Sequence, residues 1–468
     1  MKYSFLLLVL FLVKSLNAQL DSCHISFQVE GYKGGVAKLI GVYAERNFIE
    51  DSAKLDSTGR FELRRKSQLK PGYYYLIFPD NGNLHLILDQ EQHFSMTSKK
   101  SDLIGSMKVE SSIDNQLLYE SLKFQLKLEK ETDSLNLIKN AKPQDVSVKE
   151  WYDKEVKRIQ NEKKKQLESF QKKYPKSFFT KFKTAGQNPE LVDVKKANGD
   201  LDTAKQVALF RDAFWNNVDF SDVRLLHTPV IFNKLKRFIL DLTAQQPDSI
   251  IRQADIVIQK SLVNKEMFQF ISNWIALNYE PTKTKVMDGE AVFVHILDKY
   301  FTKDLAFWLT DKDFIGIQKK VLEMKSSLLN CQAPDVVSTD FYGKTRSIYE
   351  LKEDYVVIFM YDPDCDHCQK ETPELLAFYK EWKPKGVEVF AIVLNAKEQE
   401  WRNFVVKNKT DVWINVFDPT NKSIYAKYFV DITPELYVLN KERKIIGKNL
   451  HPEQLAFIIK QDMERRKK

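Results

Sequence analysis

The feature that most constrains this chain is an apolar run followed at once by two closely spaced cysteines. The run Tyr355–Met360 is uninterrupted and rich in β-branched residues, which indicates a strand buried on both faces. After Cys365 and Cys368, the apolar residues between 375 and 382 recur at helical spacing, and that pattern ends before Pro384. Strand, short turn and helix in this order predict that Cys365 lies at a helix N-terminus.

Two cysteines in this position predict a redox-active dithiol. Unpaired backbone N–H groups and the helix dipole favour an anion at a helix N-terminus, and a thiolate there has a pKa below the usual value of about 8.5. Cys368, three residues on, lies on the same helical face, close enough to close a disulfide. A zinc site and a purely structural disulfide are the alternatives. Zinc needs two more ligands, no second motif supplies them, and so short a ring stabilises little. We therefore expect neither a metal nor a cofactor.

Residues 326–468 as a whole resemble the thioredoxin superfamily, and most of all its exported TlpA/ResA-type thiol-disulfide oxidoreductases. Pro373 lies where helices of that family commonly carry a kinking proline. The segment 430–439 resembles the family's loop with a cis-proline before a strand, and the segment 333–345 resembles the opening hairpin of the AhpC/TlpA branch. The resemblance implies an α/β domain with a mixed sheet flanked by helices.

The same resemblance implies roles for individual residues. Cys365 would attack a substrate disulfide, and Cys368 would resolve the mixed disulfide. Pro434, in a cis peptide bond, would shape the wall of a groove in which the backbone of Thr433 pairs with a substrate strand.

Charges around the first cysteine act in opposite directions. Asp362, Asp364 and Asp366 raise the pKa of a neighbouring thiol, whereas His367 and the helix dipole lower it. Asp366 and His367 are therefore candidate supporting residues. The direction of electron transfer stays open at this point, and we expect reduction of the substrate.

The length of 468 residues is too great for one core and predicts a multidomain protein. We expect a signal peptide over residues 1–18, a β-sandwich over 19–110, an all-α domain over 111–325 and the thioredoxin-like domain over 326–468. The sandwich is predicted from short alternating strands, including a hairpin over 55–63 that turns at Gly59. The first two domains resemble modules of unknown role in Bacteroidetes envelope proteins, and the second offers possible contacts with peptides or proteins.

The expected function is that of an exported thiol-disulfide oxidoreductase in the periplasm or cell envelope. Its expected partners are disulfide-bearing protein substrates and a membrane electron donor; the net charge of +8 comes with no nucleic-acid-binding motif. A thiol peroxidase is an alternative, but it typically needs Thr or Ser where this chain has Asp362. The other alternative is a non-catalytic binding protein that uses the thioredoxin-like module as a scaffold. Cys23 and Cys331 lie outside any motif, and we expect thiols there rather than a bridge between the first and third domains.

Overall fold

The computed structural model describes residues 22–281, 283–284, 286–421, 424, 427–430 and 432–466. The predicted signal peptide lies outside these residues. By its contacts the chain divides into two compact units, Met1–Leu235 and Lys236–Lys468, and each is described here by itself. The predicted domain boundaries stay predictions. Within the described residues, every helix is too short or too polar to cross a membrane.

The first unit begins with eight strands in two four-stranded sheets. One sheet has the order β4-β1-β7-β8 and the other β3-β2-β5-β6. Alternate residues of the first strand are buried, as expected of a sheet with one face in a core, and Phe61 and Phe78 bring the sheets together, with ring centroids 6.2 Å apart. The all-β prediction for this region is confirmed. The strands are β1 (Cys23–Glu30), β2 (Val36–Tyr43), β3 (Arg46–Lys54), β4 (Arg60–Arg65), β5 (Gly72–Ile77), β6 (Asn83–Leu88), β7 (His93–Lys99) and β8 (Lys108–Glu110).

The predicted hairpin over residues 55–63 is wrong. The strands on either side of Gly59, β3 and β4, belong to different sheets, and β4 pairs with β1 instead. The turn itself is present: Gly59 has a φ of 79°, and the Asp56 carboxylate accepts the backbone N–H groups of Thr58 and Arg60. A glycine turn marks a change of direction, but it does not decide which strand the chain pairs with next.

Helices follow in both units, as the sequence predicts for the middle of the chain. Side-chain caps define several of their starts, among them Ser112, whose hydroxyl accepts the N–H of Asn115, and Thr310 in a capping box with Asp313. The helices are α1 (Ile113–Ala141), α2 (Val146–Lys173), α3 (Phe178–Ala185), α4 (Thr203–Asp212) and α5 (Val230–Lys236), then α6 (Pro247–Ser261), α7 (Lys265–Asn278), α8 (Glu290–Tyr300) and α9 (Asp311–Lys325).

The second unit ends in a seven-stranded mixed sheet with the order β10-β9-β13-β12-β11-β14-β15. Its central strand, β11, pairs in parallel with β12 and antiparallel with β14. The strands are β9 (Val337–Asp340), β10 (Thr345–Ser347), β11 (Tyr355–Tyr361), β12 (Val387–Val393), β13 (Ile414–Phe417), β14 (Glu435–Leu439) and β15 (Ile445–Gly447). The helices are α10 (Asp366–Trp382), α11 (Glu398–Asn408) and α12 (Pro452–Arg466). This is the thioredoxin-like arrangement that the sequence predicts.

Strand β11 is buried along its whole length because both faces of the sheet are covered. Its odd-numbered residues pack into a core that includes side chains from α10, α11 and α12. Its even-numbered residues pack into a second core on the opposite face. The central strand is therefore held from both sides, and its C-terminal end is a fixed point from which the next loop starts.

Candidate dithiol active site

The two motif cysteines lie in the turn between β11 and the start of α10. The Cys365 N–H donates to the Asp362 carbonyl at 3.1 Å, and the Asp362 carboxylate accepts the Asp364 N–H at 2.9 Å. Cys365 is the N-cap of α10, with extended backbone angles, so its side chain stands at the open end of the helix. The predicted position of Cys365 is confirmed, and this loop sets it at the C-terminal edge of the central strand.

Hydrogen-bond donors surround the Cys365 sulfur and lower its pKa. Burial of the half-buried side chain acts the other way and is the largest single influence. The backbone N–H and thiol of Cys368, the Thr433 side chain and the backbone N–H of His367 together outweigh it. The net result is a thiol pKa below its usual value, which favours the thiolate, the reactive form of cysteine.

The Cys368 sulfur lies in a different environment. The side chain is fully buried in the core beneath α10, and burial raises the pKa of its thiol to about 12. Cys368 is therefore a neutral thiol at neutral pH while its neighbour tends towards the thiolate. This difference makes Cys365 the more acidic and the more exposed thiol of the pair.

The loop before β14 completes the site. The Cys365 thiol lies 3.3 Å from the Thr433 carbonyl oxygen and donates a hydrogen bond to it. The Thr433–Pro434 peptide bond is cis, as the sequence predicts. Residues 68 positions apart in the chain thus meet at one sulfur. Ile432, just before this loop, is 60% exposed and adds an apolar side chain beside the site.

The two charged candidates contribute less than the sequence suggests. Asp366 and His367 are both exposed in the first turn of α10, and neither side chain forms a hydrogen bond or ion pair with a described residue. His367 acts on Cys365 through its backbone N–H rather than its ring. A role for either side chain stays a prediction.

Sequence reasoning missed a carboxylate one helical turn beyond Cys368. Glu371 is partly buried, its Oε1 lies 2.7 Å from His451 Nδ1, and burial raises the pKa of its carboxyl group. Thr372 was missed as well; its hydroxyl donates to the Cys368 carbonyl at 2.7 Å and is fully buried. The spacing of Glu371 after the motif was the available signal, but its contact with a residue 80 positions away was not visible in the sequence.

No disulfide bond joins Cys331, Cys365 or Cys368 to another described residue. Cys23 is buried in β1, and the Cys331 thiol donates to the Lys325 carbonyl at 3.5 Å. Among the described residues there is no group of three or more His, Cys, Asp or Glu side chains that could hold a metal ion. The dithiol thus lies at a helix N-terminus with hydrogen-bond donors at the Cys365 sulfur, an arrangement suited to thiol–disulfide exchange.

Comparison with known proteins points to the same part of the chain. Residues 329–448 match the AhpC/TSA family. The chain is similar to the thiol-disulfide oxidoreductase ResA of Bacillus cereus, with 30% identity over 117 residues that cover 25% of this chain and 66% of the relative. ResA of Bacillus subtilis is 28% identical over 114 residues, which cover 24% and 63%. The chain thus spans slightly less than two thirds of the length of these relatives.

Two solved structures are similar to parts of this chain. One is a domain of a possible thiol-disulfide isomerase from Cytophaga hutchinsonii, which is 34% identical to this chain. The match covers 30% of this chain and 97% of that domain, with a TM-score of 0.29. The other is a thioredoxin-like protein from Bacteroides caccae, which is 18% identical to this chain. The match covers 58% of this chain and 99% of that protein, with a TM-score of 0.47. Residues 329–448 of the chain are thus a thioredoxin-like domain of the AhpC/TSA family, homologous to the ResA thiol-disulfide oxidoreductases.

Proposed function

We propose that this protein is an exported thiol-disulfide oxidoreductase that reduces disulfide bonds in protein substrates. The observation that carries the proposal is the contrast between the two cysteines at one helix N-terminus: a partly exposed thiol with a lowered pKa and a buried thiol whose pKa is raised to about 12. Homology to proteins named thiol-disulfide oxidoreductase supports it. The signal-peptide pattern of residues 1–18 supports export to the periplasm or cell envelope.

The reaction proceeds in two exchanges. The Cys365 thiolate attacks one sulfur of the substrate disulfide, a mixed disulfide forms, and the other substrate sulfur leaves as a thiolate that takes up a proton. Cys368 then loses its proton and attacks the Cys365 sulfur, which releases the second substrate thiolate. Two electrons have moved from the protein to the substrate, and the Cys365–Cys368 pair is oxidised. A membrane electron donor would return the two electrons.

The backbone of Thr433 is proposed to act on the substrate as well as on the thiol. The Thr433 carbonyl oxygen accepts a hydrogen bond from the Cys365 thiol at 3.3 Å. A substrate chain whose sulfur approaches Cys365 would therefore pass beside this backbone. Extended peptides bind such backbone by pairing as an added strand. Thr433 and Pro434 are therefore proposed to position the substrate, and Ile432 to contact an apolar substrate side chain.

Trapping of the mixed disulfide tests the assignment of the two cysteines. Cys368→Ser leaves the attacking thiol without a resolving partner, so a stable adduct with a disulfide peptide is expected by mass spectrometry. Cys365→Ser is expected to form none, and Cys331→Ser, at the partly buried cysteine outside the motif, is expected to behave as the wild type. Adduct formation at Cys368 in the Cys365→Ser variant would contradict the assigned order of attack.

Turnover and direction need separate measurements. Reduction of insulin above the rate of dithiothreitol alone is expected for the wild type and not for Cys365→Ser. An equilibrium potential near or below about −220 mV would mark a reductant, whereas a value near about −120 mV would mark an oxidant and overturn the proposed direction. Turnover of hydrogen peroxide without insulin reduction would favour the thiol peroxidase, and no disulfide formation at all would favour a binding protein.

A further inference from the structure

A cavity among α1, α2 and α3 of the first unit is lined by basic and amide side chains. Its volume is about 220 Å³. Lys163 of α2 and Lys183 of α3 both line it, and no Asp or Glu is among its lining residues. Neither lysine forms an ion pair or a side-chain hydrogen bond with a described residue, although the chain as a whole carries 64 acidic residues. Two ammonium groups thus face one cavity without a counter-charge.

Of the other polar groups of the cavity, Gln125 donates to Glu129 Oε1 at 2.8 Å and Gln187 donates to the Lys183 carbonyl at 3.0 Å, whereas two lack partners. Ser121 is 5% exposed and Gln166 is partly exposed. Neither the Ser121 hydroxyl nor the Gln166 amide forms a hydrogen bond with a described residue. Neither side chain has a fully enclosed polar atom without a partner, so both are accessible from the cavity. These groups can all donate hydrogen bonds, and with the two lysines they converge on one space. Such a set is complementary to an acceptor with negative charge.

Lys183 carries an electrostatic cost in the empty cavity. Burial lowers the pKa of its ammonium group, and the charge of Lys163 lowers it further. A bound anion would offset both effects, since it supplies the opposite charge within reach of both lysines. A titratable group with a shifted pKa in a concave site is a recognised sign of function, and here it lies in a cavity that a second lysine also lines.

The remaining walls define the rest of the ligand. Phe124, Leu167 and Phe170 give the cavity apolar surface beside its polar end. At about 30 Å³ for each water-sized group, the volume holds about seven such groups. We propose that this cavity binds a carboxylate attached to a short apolar body, with Lys163 and Lys183 on the carboxylate. A small organic acid and the C-terminus of a peptide with an apolar last residue both carry this chemistry.

Calorimetric titration of the full chain with benzoate tests the proposal. Benzoate is expected to bind, and benzamide, which has the same shape without the charge, is not. Lys183→Met and Lys163→Met are each expected to weaken benzoate binding about tenfold or more, the range for a lost charged hydrogen bond. The matched control is Lys172→Met, an exposed lysine on α2 outside the cavity, which is expected to bind benzoate as the wild type does.

Thermal unfolding of the same variants separates ligand binding from a structural role. Without ligand, Lys183→Met is expected to melt at a higher temperature than the wild type, because it removes a disfavoured charge while keeping the side-chain length. Benzoate is expected to raise the melting temperature of the wild type and not that of this variant. If Lys183 served only to stabilise the fold, Lys183→Met without ligand would melt at a lower temperature than the wild type.

The probes also identify the source of the carboxylate. Binding of acetyl-Gly-Phe with a free C-terminus, and not of its amide, would assign the cavity to peptide ends; binding of benzoate alone would assign it to a free acid. Equal binding of benzoate and benzamide, binding of inorganic phosphate without benzoate, or unchanged benzoate affinity in Lys183→Met would each overturn the proposal. So would the absence of benzoate binding at millimolar concentration.

Discussion

Replacement of Lys448 by Met should destabilise the second unit by several kcal/mol. Lys448 is 2% exposed, just after β15, and its ammonium group lies 2.5 Å from Glu290 Oε2 and 3.7 Å from Asp288 Oδ1. It also donates to the Ser327 carbonyl at 3.0 Å. Both carboxylates are buried, so the variant would leave two buried acids without their cation. Removing one partner of such a cluster costs about 3–5 kcal/mol.

The loss of stability should depend on pH, because the pKa of Asp288 is higher in the folded protein than in the unfolded chain. Burial raises the pKa of Asp288 to about 7, and Lys448 is the main influence that keeps it from rising further. An acid whose pKa is higher in the folded than in the unfolded protein makes stability fall as pH rises between the two values. From 3.8 to about 7 this is about 4 kcal/mol, at 1.36 kcal/mol for each pKa unit. Without Lys448 the Asp288 pKa rises further, and the fall continues above pH 7.

Urea unfolding of the wild type and Lys448→Met at about pH 5.5 and about pH 8 measures both effects. The variant is expected to lose more stability at the higher pH, where Asp288 must ionise. Asp288→Asn in the Lys448→Met background should recover part of the loss at the higher pH only. Lys441→Met is the matched control, since the ion pair of Lys441 with Asp354 is exposed and is worth about 1 kcal/mol or less. Equal losses at both pH values, or a loss no larger than that of the control, would refute the reasoning.

Three further predictions concern the dithiol and the first unit. Alkylation of Cys365 by iodoacetamide should have a pH midpoint below the value of about 8.5 for an ordinary cysteine, and Cys368 should stay unmodified while the protein is folded; a midpoint at the ordinary value would contradict the lowered pKa. Asp366→Asn should lower that midpoint by about half a unit, the effect of one charge at about 6 Å in water, and a larger shift would indicate a closer contact. Arg224→Met should cost the protein about 3 kcal/mol in urea unfolding, because Arg224 bonds two largely buried carboxylates at 2.5 and 2.8 Å, and a cost below about 1 kcal/mol would show that water satisfies them.

The elements around the dithiol could be predicted because local patterns determine them. The continuous apolar run gave β11, the helical spacing gave α10, and the motif between them fixed the place of Cys365. The cis bond before Pro434 followed from the resemblance to a family. For the strand and the helix, a short stretch of sequence contains the physical cause.

What sequence reasoning missed depends on contacts between distant segments. The pKa of Cys365 is lowered by backbone N–H groups and by Thr433, whereas composition drew attention to the three aspartates and His367. The strand after Gly59 could not be assigned to a sheet, since strand pairing is decided by packing across the sandwich and not by the turn. Which groups a side chain contacts, and which strand a strand pairs with, are decided by the fold and cannot be inferred from the residue type alone.

The buried charges around Lys448 join the start of α8 to the sheet of the same unit. Asp288 and Glu290 lie at the start of α8, and their partners lie beside β15 and in the segment after α9. Leu329 donates its N–H to Asp288 at 3.0 Å, and Asn449 donates to Glu290 at 3.0 Å. A boundary between independent domains would expose these groups to water, where neither carboxylate needs a fixed partner. Because they are buried instead, the start of α8 and the end of β15 depend on each other for the pairing of these charges.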